Sequence, residues 1–231
     1  MTQGPGELTV LRVFTGADGA GGNPLGVFLD GAAVPPRHRQ RVATDLGFSE
    51  TVFVDDAGSG RVRIFTPGIE LPFAGHPLVG TAWLLREQGV PVAVLRPPAG
   101  EVPTWVEGER TWIRGRAEWA PAMELIGLSS PAQVDALEAA PGNPDFAYCY
   151  AWIDEADGVV RARAFAPGAG IAEDEATGAA AVRLATALAR PLVIRQGRGS
   201  ELLARPGPAG SAEVGGRVVL DGHAVVQSTA N

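Results

Sequence analysis

The stretch RVRIFTPG (61–68) recurs 100 positions later as RARAFAPG (161–168). In the first copy arginines alternate with Val62 and Ile64, which is typical of a strand with one buried face, and the closing Pro-Gly predicts a turn. An acidic, glycine-bearing loop and an apolar helical segment follow each copy, as ELPFAGHPLVGTAWLL (70–85) and EDEATGAAAVRLATAL (173–188). We therefore predict two halves of similar design.

Further runs on both sides of the repeat predict a mixture of strands and helices. Short β-rich runs bounded by turn residues predict strands at 8–15, 25–30, 51–56, 90–97, 104–108, 110–116, 146–154, 201–206 and 217–227. Helical spacing predicts helices at 36–46, 76–89, 131–140 and 176–189. The sequence changes character after 116, so we divide it into an N-terminal domain at 1–116 and a C-terminal domain at 117–231.

Two of the predicted helices carry recognisable boundary signals. Pro36 can occupy the first turn of its helix, and Gly47 can end that helix. Ser130, Pro131 and Gln133 form a start that resembles a capping box.

Composition limits the partners and the location of this chain of 231 residues. The net charge is −7 and there is no basic run, so nucleic acid is not an expected partner. No apolar stretch approaches the roughly 20 residues that span a bilayer, and the start MTQGPGELTV lacks the features of a signal peptide. The single cysteine, Cys149, excludes an internal disulfide. We expect a cytoplasmic protein without a membrane partner.

The chain contains no lysine, because all 19 residues counted as Lys+Arg are arginines. Chemistry that needs a lysine amine, such as a Schiff base with pyridoxal phosphate, is therefore excluded. The histidines His38, His76 and His223 are scattered, and no cluster has the spacing of a zinc site. We expect neither a metal nor an organic cofactor.

Small residues lie where the two apolar helices begin, at 75–77 and at 176–180. A helix N-terminus has unpaired N–H groups and partial positive charge, so two such ends facing one cleft could hold an anion without lysine. Alternatively, these glycines only permit tight turns or close packing.

Three side chains are candidates for acid/base chemistry, and each also has an ordinary structural interpretation. Glu50 lies between a predicted helix and an apolar strand, where burial would raise its pKa and make it a proton acceptor near neutral pH, or it is a surface residue. His76 is a proton carrier or a structural hydrogen-bonding group. Asp174 is a site residue or a charge that complements a helix dipole.

At these residues the chain resembles the phenazine-biosynthesis PhzF-like family, relatives of diaminopimelate epimerase. The matching segments occur in the family's order and cover nearly the whole chain: GNPLGVFLD (22–30), GFSETVFV (47–54), RIFTPGIELPFAGHPLVGTA (63–82), AEDEATGAAA (172–181) and IRQGRGSELL (194–203). The resemblance implies an α+β fold of two similar domains, each an antiparallel-rich sheet curled around a central helix. It also implies a homodimer and a site in the cleft between the domains.

The resemblance further implies roles for individual residues. Glu50 matches the family's acid/base residue, and His76 and Asp174 match residues that line its pocket and complete the catalytic set. The implied substrate-binding residues are Asn23, Gly75, Thr177, Gly178 and Ala179. The chain departs from the family pattern at Glu175, where proline is usual, at Ala179, where serine is common, and in a shortened segment at 196–200.

The function we expect is a cofactor-independent isomerase that moves a carbon-bound proton on a small anionic metabolite. Glu50 would take the proton from one carbon and return it at another. A two-cysteine epimerase or racemase is a second possibility, although neither helix start carries a thiol. A non-catalytic binding protein on the same fold and a recruited role in secondary metabolism are also compatible with the sequence.

Overall fold

The computed structural model describes residues 6–226. The first half contains β1 (Gly6–Thr15), β2 (Gly21–Phe28), α1 (Pro36–Leu46), β3 (Glu50–Asp56), β4 (Arg61–Phe65), β5 (Glu70–Leu71), α2 (Gly75–Glu87), β6 (Val94–Leu95), β7 (Val102–Glu107) and β8 (Arg110–Arg116). The second half contains β9 (Glu124–Gly127), α3 (Pro131–Asp135), β10 (Ala147–Asp154), β11 (Val159–Ala166), β12 (Ile171–Asp174), α4 (Gly178–Leu188), β13 (Leu192–Gln196), β14 (Ser200–Pro206) and β15 (Ser211–Val226). The predicted α+β composition is confirmed.

The two halves repeat one arrangement, as the sequence repeat predicts. In the first half β3 and β4 form an antiparallel hairpin, β5 pairs with β4, and α2 follows. In the second half β10 and β11 form the hairpin, β12 pairs with β11, and α4 follows. Each hairpin also has a parallel neighbour, β2 beside β3 and β9 beside β10. The two copies of the repeated octapeptide thus begin in equivalent strands, β4 and β11.

The repeat also places equivalent ion pairs in the two halves. Arg63 on β4 binds Glu70 on β5, and Arg163 on β11 binds Glu173 on β12. Each ion pair links a short strand to its hairpin, and the central helix of that half follows in the sequence.

The last strand connects the halves. Residues 212–215 of β15 pair with β14 of the second half, and residues 217–226 pair with β1 of the first half. The sheet therefore runs continuously in the order β5-β4-β3-β2-β1-β15-β14-β13-β11-β10-β9. Because β15 bonds to strands of both halves, the division at 116/117 stays a prediction.

The central helices are held inside this sheet by apolar packing. All of α2 from Gly75 to Ala82 is buried, as are Leu84 and Leu85, which confirms the predicted buried helix. Leu78 and Leu84 of α2 belong to the same hydrophobic core as Val182 and Leu184 of α4. The starts of the two helices thus have fixed positions. Among the described residues, no helix is long and apolar enough to span a membrane.

The boundary signals are confirmed at α1, where Pro36 lies in the first turn and Gly47 has the left-handed conformation. Ser130 caps α3 by accepting a hydrogen bond from the Gln133 N–H. However, α3 ends at Asp135 rather than at 140. Nη1 of Arg163 binds the carbonyl groups of Val134, Asp135 and Leu137, so it occupies acceptors that a longer helix would use.

Other strand boundaries differ from the predictions where tertiary contacts decide them. Only Val94–Leu95 of the run 90–97 forms a strand. β2 begins within the predicted turn, because Gly21 and Gly22 continue it at φ values of 65° and 87°. The predictions did not include β13, which pairs with β11.

The core role of α2 predicts the effect of truncating it. Leu84→Ala should lower the free energy of unfolding by about 2–5 kcal/mol, because Leu84 is fully buried and the change leaves a cavity. Leu220→Ala on β15 is the matched control, since Leu220 is half exposed and its truncation should change stability by no more than about 0.5 kcal/mol. Urea unfolding of the three proteins measures both effects. Equal losses would contradict the assignment of α2 to the core.

Candidate active site

The N-termini of α2 and α4 meet at Gly75 and Gly178. A Cβ atom on Gly75 would lie 2.5 Å from the carbonyl carbon of Gly178, and one on Gly178 would lie 2.8 Å from Cα of Gly75. Only glycine fits at either position, so close packing is one reason for these glycines, and a role in holding an anion stays a prediction. The contact also brings the positive ends of both helix dipoles to one place, which favours negative charge there.

Glu50 and His76 face each other beside this contact. Glu50 begins β3 and His76 lies in the first turn of α2. Both side chains are buried, and Oε2 of Glu50 is 3.4 Å from Nε2 of His76. Neither of these atoms has a hydrogen-bond partner among the described residues. A buried polar atom without a partner is costly, and such atoms are candidates for contact with a ligand.

Asn23 connects the two halves at the site. Its Nδ2 donates to Oδ1 of Asp174 at 2.7 Å and to the carbonyl of Ala176 at 3.0 Å. Its Oδ1 accepts a hydrogen bond from Ser49 at 2.9 Å, and Nδ2 lies 3.4 Å from Nδ1 of His76. The side chain is 2% exposed and its groups bind protein atoms. It therefore positions Asp174, and substrate binding by Asn23 stays a prediction.

Asp174 ends β12 and is fixed from the other side by Thr177, whose hydroxyl donates to Oδ2 at 2.6 Å. Gln196 holds this segment in turn. Its Nε2 donates to the Asp174 carbonyl at 2.8 Å and to Thr177 Oγ1 at 2.9 Å, while its Oε1 accepts from Thr177 N–H and Tyr148 O–H. Gln196 is not among the site residues predicted from the sequence, although it lies in the matched segment 194–203.

The structure thus brings together all the predicted site residues. Glu50, His76 and Asp174 converge although they are far apart in the sequence, and Gly75 and Gly178 form the helix contact beside them. Asn23, Thr177 and Ala179 lie around the same point. Their roles in binding and catalysis stay predictions.

Burial controls the charges of this group. It raises the pKa of Glu50 well above its usual value, and the charge of Asp174 raises it further. Burial also raises the pKa of Asp174 to about 6, against the opposing effect of hydrogen bonds from Thr177 and Asn23. Burial lowers the pKa of His76 to about 3. Burial thus favours the neutral forms of Glu50 and His76, whereas Asp174, with a pKa near 6, is mainly ionised at pH 7.

A pocket with an empty volume of about 550 Å³, including its open mouth, lies against Glu50 and Asp174. Its walls are mainly apolar and aromatic, with Leu71, Phe73, Met123, Phe146, Phe165 and Ile171. Ala179 and Thr177 line it at the start of α4. Among the described residues, those lining this pocket include no arginine. The carboxyl groups and the helix start are thus its main polar features.

Residues 11–148 match the family model for phenazine biosynthesis-like proteins, PhzC-PhzF. The chain belongs to this family. It is 34% identical to a trans-2,3-dihydro-3-hydroxyanthranilate isomerase of Pseudomonas fluorescens, over 79% of this chain and 80% of the relative. It is 35% identical to the protein of the same name from Pseudomonas aeruginosa, with the same coverage of each.

The solved structure of a predicted epimerase from Pseudomonas aeruginosa has the same fold. The two superpose with a TM-score of 0.73 at 25% identity, over 97% of this chain and 100% of that one. The epimerase-like fold expected from the resemblance is confirmed, as is the prediction of an isomerase. A two-cysteine mechanism has no support in the described residues, because Cys149 is buried in β10 and burial raises the pKa of its thiol.

The raised pKa of Glu50 predicts how stability depends on pH. A carboxyl whose pKa is higher in the folded than in the unfolded protein binds more protons when folded, so stability falls as pH rises from the unfolded to the folded value. Glu50→Gln removes this dependence, so in measurements from pH 5 to 8 its stability relative to wild type should rise as the pH increases above the usual carboxyl range. Glu138→Gln, at an exposed position, is the control. Urea unfolding across this range measures the difference, and a constant difference between wild type and Glu50→Gln would contradict burial of an ionisable Glu50.

Proposed function

We propose that this isomerase moves a proton between two carbons of a small, carboxylate-bearing ring compound. The observation that carries the proposal is the buried acid pair, Glu50 and Asp174, which lines an apolar pocket at the meeting point of two helix N-termini. An aromatic-walled pocket suits an unsaturated ring. The positive helix ends suit its carboxylate, since the pocket offers no arginine among its described lining residues.

In the proposed mechanism the ionised form of Glu50 takes a proton from one ring carbon and becomes a neutral acid. The electron pair left by that C–H bond spreads over the adjacent double bond and carboxyl group, where the helix N-termini stabilise the negative charge. Glu50 then returns the proton to a second carbon, so its protonation state at the end equals that at the start. The raised pKa supports this role, because a weaker acid has a stronger conjugate base.

Asp174 and His76 would orient the substrate and assist proton transfer. Neutral His76 suits this role because it can offer one ring nitrogen as donor and the other as acceptor. Asp174 keeps a negative charge beside Glu50, which raises the base strength of Glu50. Gly75 and Gly178 would contribute backbone N–H groups, and Thr177 and Ala179 would contact the substrate.

The name of the two Pseudomonas relatives suggests a substrate to test first. We propose trans-2,3-dihydro-3-hydroxyanthranilate, or a ring compound of the same class from secondary metabolism, as the substrate. The second candidate function is ligand binding without turnover. Ala179 favours it, because this pocket residue has no hydroxyl group where serine is common in the family.

Glu50→Gln separates the two functions. The wild type should incorporate solvent deuterium at carbon when it turns over trans-2,3-dihydro-3-hydroxyanthranilate in deuterated water, unless the proton returns without exchange. The variant should bind this compound and lose about 10²–10⁴-fold in rate, since it keeps the shape of Glu50 without the base. His76→Ala and Asp174→Asn should weaken both binding and rate.

Two results would overturn the assignment. An unchanged rate in Glu50→Gln would remove Glu50 from the mechanism. Binding of the compound by the wild type without any isomerisation, detected by NMR of the product, would favour the binding protein. The exposed change Glu138→Gln controls for nonspecific effects of losing a carboxylate.

We also propose that the protein is a homodimer, as the resemblance implies. Light scattering should then give about twice the chain mass of 23.9 kDa across a broad concentration range. A mass equal to that of one chain throughout the range would contradict this.

A further inference from the structure

The carboxylate of Glu175 is enclosed by the turn at 197–200. Its Oε1 accepts hydrogen bonds from the backbone N–H of Arg198 at 2.6 Å and from the hydroxyl of Ser200 at 2.9 Å. A Cβ atom on Gly197 would collide with this carboxylate, and Gly197 has a φ of 57°. The turn at 197–200 therefore has room for the side chain of Glu175 only because residue 197 is glycine.

Ser200 extends this contact into the other half of the molecule. Its Oγ accepts a hydrogen bond from the backbone N–H of Gly22 at 2.9 Å while its hydroxyl proton binds Glu175. Here the backbones touch, since a Cβ on Gly21 would lie 2.6 Å from the carbonyl carbon of Gly199. We call the contacts of Glu175, Ser200 and Gly22 the Glu175 chain.

The Glu175 chain joins the same two segments that form the acid pair. Glu175 follows Asp174 directly, and Gly22 precedes Asn23. Asn23 and Asp174 are themselves joined by the hydrogen bond at 2.7 Å. Two adjacent connections therefore bridge β2 and the loop before α4, one buried at the acid pair and one nearer the surface.

We propose that Glu175 is a positioning residue that holds β2 against the start of α4 and so keeps Asn23 and Asp174 in register over the pocket. A proline at this position, usual in the family, has no carboxylate to accept these bonds. Glu175, which replaces the usual proline, thus acts together with the shortened segment 196–200, which supplies its two hydrogen-bond donors. The kinetic part of this proposal depends on the proposed function, whereas the structural part does not.

Amide hydrogen exchange, followed by ¹⁵N NMR on the whole chain, tests the structural part. Glu175→Ala and Ser200→Ala should each raise the exchange rate of the Gly22 amide about tenfold or more, since each removes a hydrogen bond of the Glu175 chain. Glu175→Gln should retain most of the protection, because its amide oxygen accepts the same two bonds. Glu173→Gln is the matched control, since Glu173 binds Arg163 instead.

Unchanged Gly22 exchange in Glu175→Ala would overturn the proposal. Glu175→Gln behaving like Glu175→Ala would also overturn it, because charge rather than the hydrogen bonds would then be acting. These readouts need no substrate, so they stand even if the proposed reaction fails.

Steady-state kinetics with trans-2,3-dihydro-3-hydroxyanthranilate test the positioning role. If Glu175→Ala lowers the fraction of molecules with an assembled site, KM should rise by the same factor while kcat stays within about twofold, because bound substrate restores the assembled form. Glu175→Gln should restore KM. A purely structural role would lower the melting temperature and leave KM unchanged, and that result would contradict positioning.

Discussion

The contact between Gly75 and Gly178 constrains the rest of the structure. Two helices can begin against each other only if neither start carries a Cβ atom, and both must be held from behind by the sheet. The buried faces of α2 and α4 supply this, together with β15, which pairs with β14 and β1 and makes the sheet continuous. The repeat and the long last strand are therefore the means of bringing two distant glycines into contact.

The contact between the two helix N-termini brings two partial positive charges together, and the carboxyl groups of Glu50 and Asp174 lie beside them. Two positive helix ends at one point repel each other unless negative charge lies beside them. Ionised Asp174 supplies it, while burial and the charge of Asp174 favour the neutral form of Glu50. The neutral amides of Asn23 and Gln196 fix Asp174 without adding a cation. Burying two carboxyl groups opposes folding, and such groups cluster at functional sites, which supports the proposed chemistry.

Much of this arrangement could be predicted from local sequence, because repeats, glycines and acidic residues leave signals that do not depend on distant partners. The repeated octapeptide predicted equivalent strands, and Pro36 and Gly47 bounded α1. Contacts between remote residues left no such signal. Gln196 is an ordinary glutamine in the sequence, and Glu175 was recognised only as a departure from proline. Likewise α3 ends early because Arg163, from a distant strand, binds its carbonyl groups.

The central claim is that burial holds the pKa values of Glu50 and Asp174 above those of ordinary carboxyl groups. Carbon-13 NMR of the side-chain carboxyl groups, assigned with Glu50→Gln and Asp174→Asn, measures this directly. We predict that Glu50 titrates well above the usual pH range of a glutamate and that Asp174 titrates near pH 6. Ordinary titration of both carboxyl groups near pH 4 would contradict the account, since neither would then be a buried acid suited to moving a proton.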